Sequence, residues 1–156
     1  MSSPPETDRE YAYFRAVGTE DPVFVSNLLN LEPNDVWKLG DPFERNGRSF
    51  LRRGSQWKLG SGLTDQDTLS DHLSELLKRL EPQREGLLRV KEKFRTQFVC
   101  VGYYYQSFSW ELDFDLQRRA TALGIEFWFD TYSFGDHHEE MVELREQLEV
   151  LRNTEK

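Results

Sequence analysis

The chain has 156 residues and is poor in cysteine, in basic charge and in long apolar runs. Each shortage excludes something. A single cysteine, Cys100, excludes an internal disulfide and any multi-cysteine metal centre. No apolar stretch approaches the ~20 residues that cross a bilayer. The opening Met1-Ser2-Ser3-Pro4-Pro5-Glu6 has neither the basic start nor the apolar middle of a signal peptide. There is no glycine-rich phosphate loop and no Gly-x-Ser-x-Gly elbow. His-Glu-x-x-His is also missing: Val142 stands where the second histidine belongs after His138-Glu139. A net charge of -8 disfavours non-specific nucleic-acid binding, which rests on neutralising phosphates. These absences lead to the expectation of a soluble cytoplasmic protein with no cofactor, no metal, no membrane and no nucleic acid.

What is present is aromatic and unevenly charged. Aromatics make up 13% of the chain, which argues against disorder despite a mean hydropathy of -0.72. The length suits one domain with its own core. Between residues 36 and 60, six cations (Lys38, Arg45, Arg48, Arg52, Arg53, Lys58) face only Asp41 and Glu44, a local excess of four. From Glu126 onward nine acids face Arg145, Arg152 and Lys156. The surface is therefore polarised.

Residues 1–9 read as a polar tail. Tyr11 to Val17 alternates as a strand, with Tyr11, Tyr13, Arg15 and Val17 on one face and Ala12, Phe14 and Ala16 on the other. Asp21-Pro22 starts a short helix with Val25, Leu28 and Leu29 inward, closed by Glu32-Pro33-Asn34. Trp37-Lys38-Leu39-Gly40 is echoed by Trp57-Lys58-Leu59-Gly60, which predicts two strands pairing across a basic loop with an Asn46-Gly47 turn. Asp67 or Thr68 caps a helix carrying Leu69, Leu73, Leu76, Leu77 and Leu80, and His72 falls on its polar side. Pro82 interrupts it. Leu87, Val90 and Phe94 continue the stripe, with Lys91, Lys93 and Arg95 in the last turn. Gln97 to Tyr105 is the strongest strand in the chain. Asp113 or Asp115 caps a helix with Leu116, Ala120 and Leu123 inward, and Gly124 ends it. Ile125 to Tyr132 is a last strand, and Asp136 caps an acidic helix to about Arg152.

This order predicts an α+β fold: a two-layer α/β sandwich with a mixed or antiparallel sheet of about five strands, helices on one face, and a ferredoxin-like split βαβ arrangement. The domain boundaries are 1–9 for the tail, 10–135 for a single α/β domain and 136–156 for the acidic terminal helix.

Several segments together resemble a known family. They are Tyr11-Ala12-Tyr13-Phe14-Arg15, Leu31-Glu32-Pro33, Val36 to Pro42, the second Trp57 strand, Leu76, Leu77, Leu80 and Pro82, and Phe129-Asp130-Thr131-Tyr132. The resemblance is to the bacterial domain of unknown function 4279 family, over roughly Tyr11 to Tyr132. It implies a cytosolic bacterial protein and carries no established activity. The acidic terminal helix lies outside it.

Candidate chemistry has to be weighed against plain structure. Asp136-His137-His138-Glu139-Glu140 has the composition of a metal cluster, yet adjacent helical side chains diverge by ~100°, and the pattern suits an N-cap. Glu111, Asp113 and Asp115 alternate as hard-cation ligands would, but also as an edge leading into a capped helix. Cys100, mid-strand among apolar neighbours, reads as core. Arg45, Arg48, Arg52 and Arg53, interleaved with Phe43 and Phe50, could hold an anion through bidentate guanidinium contacts or form a solvated hairpin. The most informative surface is a sheet face: Tyr13 and Arg15 from the first strand, with Trp128, Asp130 and Tyr132 from the last. If the helices cover the other side, these residues form an open aromatic and acidic face, and such patches mark binding sites.

The leading expectation is a non-enzymatic protein-binding module, immunity-like or regulatory, for a partner that is basic. An alternative is a small anionic ligand or enzymatic site, with Arg15 and the loop arginines binding the anion and Asp130 as acid/base. A third is a homodimer, rather than a monomer, burying the sheet face.

Overall fold

The computed structural model describes residues 7–105, 108–134 and 138–154. Its centre is β1 (Arg9–Gly18), whose alternation buries Ala12, Phe14 and Ala16 and leaves Tyr11, Tyr13, Arg15 and Val17 on the other face. The strand starts two residues before Tyr11, and Asp8 is also engaged: its carboxylate accepts from the Tyr105 N–H at 2.7 Å. Helix α1 (Val23–Leu29) follows. Asp21 Oδ1 accepts from Val23 N–H at 3.0 Å, and Asn30, in the left-handed region at φ 52°, ends the helix.

The strand pair expected from the tryptophan echo forms, though only Trp37 of the first segment lies in it. Strand β2 (Asp35–Trp37) runs antiparallel to β5 (Ser55–Gly60), with Val36 opposite Trp57. The basic stretch between them is more ordered than a loop. Strands β3 (Pro42–Arg45) and β4 (Arg48–Leu51) make a hairpin of their own, closed by Asn46 at φ 52° and Gly47 at φ 72°. Two successive positive φ values give the tight turn whose twist matches antiparallel strands.

Helix α2 (Leu69–Leu80) is capped by Thr68, whose hydroxyl accepts from Asp71 N–H at 3.2 Å, and its five leucines are buried. Pro82 sits in a 3-10 turn, Glu81–Gln83, which leads into α3 (Arg84–Val90). Two expectations fail here. Phe94 and Arg95 are not a last helical turn. They open β6 (Phe94–Tyr104), because Phe94 pairs with Gly18 at the end of a ten-residue ladder with β1. That ladder outweighs the weak preference of a short helix to extend. His72 is not on the surface either. It is 1% exposed, with Nδ1 2.6 Å from Ser61 Oγ and Nε2 2.8 Å from the Thr64 carbonyl oxygen. The 61–64 loop folds back over it and supplies both partners.

Asp113 caps α4 (Phe114–Ala122) by accepting from Leu116 N–H at 2.8 Å. Gly124 at φ 68° ends the turn, and β7 (Glu126–Ser133) joins β6 in parallel. The sheet order is β2-β5-β1-β6-β7. Its first four strands, with α1 and α2, are the split βαβ arrangement. The β3–β4 hairpin is an insertion, and β7 is a fifth strand added through α4.

Residues from α1 to α4 form one core with Phe14, Trp57 and Phe98 on one side of the sheet. Trp57 Nε1 donates to Ser26 Oγ at 2.9 Å, tying the sheet to α1. Cys100 lies in this core, and burial pushes its thiol up to about 12. Helix α5 (His138–Thr154) follows; Leu144, Leu148 and Leu151 on it are exposed. Asp136, its expected cap, and residues 1–6 of the expected tail lie outside the described residues.

Candidate functional site

Because α1 to α4 pack on one face, the other face of the sheet is left to its own side chains. The register orders them in rows. One row runs Asp35, Lys58, Arg15, Gln97, Glu126 across all five strands. The next runs Tyr13, Val99, Trp128; then Tyr11, Val101, Asp130; then Arg9, Tyr103, Tyr132. All five predicted face residues therefore share this surface. The first and last strands are not neighbours, however, because β6 lies between them.

The rows are linked by contacts sequence reasoning did not supply. Arg15 Nε donates to Gln97 Oε1 at 2.9 Å, while the Arg15 guanidinium lies 5.2 Å from the Trp128 ring centre. Lys58 Nζ sits 4.2 Å above Tyr13, and Arg9 4.5 Å above Tyr103. Tyr103 stacks on Tyr132 with ring centres 5.0 Å apart and planes 10° from parallel. Such cation–π contacts contribute about 0.5–1 kcal/mol each at exposed sites. They also hold long side chains in one orientation. Arg95 Nε donates to Glu126 Oε2 at 2.7 Å, and the Tyr132 hydroxyl donates to Asp130 Oδ2 at 3.2 Å.

Titration follows from this crowding. Burial, with Tyr103 beside it, pushes Tyr11 up to about 12. Burial also raises Tyr13, and the Asp130 carboxylate raises Tyr132. These hydroxyls stay protonated at neutral pH, and that of Tyr132 donates to Asp130.

Trp128 is 49% exposed and Tyr132 42%. Val99 and Val101, between these side chains, are buried. The face thus has an apolar floor and an accessible aromatic rim. Its charge is less acidic than the sequence suggested. Arg9, Arg15, Lys58 and Arg95 stand against Asp35, Glu126 and Asp130, and among the described residues Arg9, Arg15 and Lys58 make no ion pair. Sequence reasoning missed Arg9, Lys58, Gln97 and Tyr103. The alternation of β6 was visible, but not which strands flank it.

The four loop arginines separate into two pairs. Arg45 and Arg48 face each other beside the hairpin turn. Arg52 and Arg53 instead line a groove of about 420 Å³ between the hairpin and the sheet, with Trp37, Phe43, Phe50 and Val17 as walls. A wider cleft of about 890 Å³ opens between α1 and α3, and none of the predicted site residues line it. Among the described residues no group of three or more His, Cys, Asp or Glu is placed to hold a metal ion. Asp113 is the α4 cap, and Asp115 pairs with Arg118 at 2.7 Å.

With this geometry in place, comparison with known proteins identifies the family. A family model described as Domain of unknown function (DUF4279) matches residues 8–134. The chain belongs to that family. The match runs from just before β1 to just after β7, so it contains the whole sheet and leaves out α5. No curated protein and no solved structure matches the chain. Among the described residues, no helix is long and apolar enough to cross a membrane.

Proposed function

We propose that this protein is a non-enzymatic protein-binding module whose open sheet face is the docking surface. The observation that supports this is the array of exposed Trp128 and Tyr132 beside half-buried Tyr13 and Tyr103, with Arg9, Arg15 and Lys58 held over the rings. Aromatic and arginine side chains supply most of the binding energy at protein interfaces, and rings already fixed by stacking lose little entropy on docking. The three cations, which have no acidic partner among the described residues, point to a protein segment that brings apolar side chains flanked by carboxylates. That is the opposite sign from the basic partner the composition suggests. Complementary charge of this kind sets register and selects the partner. A regulatory or immunity-like role in the cytoplasm fits a module of this kind.

The test is affinity capture with the immobilised full chain beside a Trp128→Ala/Tyr132→Ala variant of unchanged circular dichroism. A discrete partner held by the parent, released by added salt and lost in the variant supports the reading. Equal capture by both chains overturns it. Light scattering that returns twice 18.5 kDa for the parent and 18.5 kDa for the variant assigns the face to a second copy of the chain.

A further inference from the structure

We infer that the groove beneath the β3–β4 hairpin is a binding site for a small organic carboxylate with an apolar body, gripped by Arg52. The sequence gives four arginines in this segment equal standing, and the structure separates one of them. Both main-chain groups of Arg52 are tied across the base of the hairpin: its N–H donates to the Asp41 carbonyl at 2.8 Å, and its carbonyl accepts from Gly40 N–H at 2.9 Å. The root of the side chain is therefore fixed. Its guanidinium then passes between two rings, 3.9 Å from the centre of Trp37 and 4.1 Å from that of Phe43.

A guanidinium flanked by two rings this close is left most open along its N–H edge. That edge presents parallel donors in the spacing of a carboxylate, which is the geometry of bidentate recognition. The group is half-buried, and among the described residues it has no acidic partner. A cation partly out of water without a counter-ion is a site prepared for an incoming anion, and its ordering cost is met before binding.

The rest of the groove describes the ligand. Val17, Phe43, Phe50 and Leu51 make an apolar lining, and Phe43 and Phe50 stack across the hairpin at 5.6 Å. Ser55, whose Oγ already accepts from Leu39 N–H at 2.9 Å, and Gln56 are buried at the base, and Arg53 adds a second cation at the rim. A volume of about 420 Å³ falls within the range that holds small ligands. One charged end and one apolar end are thus specified. Arg45 and Arg48, beside the turn, are outside this site.

This site is independent of the docking face and is tested separately, by titration calorimetry on the full chain with phenylacetate and its neutral isostere phenylacetamide. Phenylacetate is expected to bind saturably and phenylacetamide roughly ten- to hundredfold more weakly, the difference one charge-assisted contact makes. Arg52→Gln is expected to lose binding by a similar factor. Arg52→Lys keeps the charge but not the fork, and is expected to recover only part of it. Arg45→Gln should bind as the parent does. If Arg52 serves only to staple the hairpin, Arg52→Gln lowers the melting temperature while parent and variant show the same heats. That result overturns the proposal, as does equal binding of the acid and the amide, or no saturable heat with phenylacetate.

Discussion

Replacing Gly86 with alanine sets two effects of opposite sign against each other at the α1–α3 contact. Gly86 lies inside α3, where alanine is the better helix former by about 1 kcal/mol. Local propensity alone predicts stabilisation. The structure predicts the reverse. A Cβ at Gly86 falls 2.0 Å from the Leu28 carbonyl oxygen and 2.9 Å from its carbon, where ordinary contacts begin at 3.4 Å. The obstacle is the main chain of α1, so no side-chain rotation relieves it. The helices must separate by roughly 1 Å or more, which thins the dispersion contacts of the residues between them, Leu29, Leu87 and Val90. Overpacking of this kind costs about 1–3 kcal/mol, and a main-chain obstacle places it at the upper end. With the propensity gain subtracted, the net loss is about 2 kcal/mol. For a chain of this size it lowers the melting temperature by roughly 4–8 °C. Urea unfolding followed by circular dichroism measures it directly. A Gly86→Ala protein as stable as the parent, or more so, would refute the close packing of α1 on α3.

Two further outcomes can be checked in the same apparatus. Tyr11 and Tyr104 are both pushed up to about 12, so above the ordinary tyrosine value of 10.0 the unfolded chain releases these protons while the folded chain keeps them; stability is then whole below pH 10 and falls between pH 10 and 12, and a Tyr11→Phe/Tyr104→Phe chain that loses stability as steeply as the parent contradicts this. His72→Leu leaves Ser61 and the Thr64 carbonyl without their buried partner, which is expected to cost about 1–3 kcal/mol; an unchanged urea midpoint removes His72 from the loop-anchoring role.

The fold was largely legible because its signals are local and repeated. Alternation in Tyr11 to Val17, leucine spacing in α2, caps at Thr68 and Asp113 and the Asn46-Gly47 turn each rest on neighbours in sequence. The echoed tryptophan segments even named a strand pair. What stayed hidden is what arrives from far along the chain. His72 looked exposed on a helical wheel, because the 61–64 loop that covers it has no periodic pattern. Glu10, an unremarkable acid in sequence, accepts from Leu69 N–H at the start of α2 and from the Tyr104 hydroxyl, both at 2.9 Å, and Trp110 Nε1 donates to that hydroxyl in turn. The predicted face residues lie together, but the side chains that organise them come from β5 and β6, whose places only the sheet order reveals. The turn of the arginine-rich segment is legible in sequence, but its four arginines look alike there, and only the packing of the hairpin against Trp37 singles out Arg52.

The central position of β1 also has a consequence in time. Of the sheet's strands it is made before the others, yet neither of its neighbours follows soon: β5 begins at Ser55, and β6, which pairs with it from Arg9 opposite Tyr103 to Gly18 opposite Phe94, comes much later. At ordinary synthesis rates the strand waits roughly 4–17 s for its second partner. During that wait Tyr11, Tyr13 and Phe14 stand on an unpaired edge of a growing chain. Sheets closed by such distant pairings fold slowly, because the loop entropy is lost before the contacts form. The segment that anchors the finished protein is therefore the one the newborn chain must protect longest.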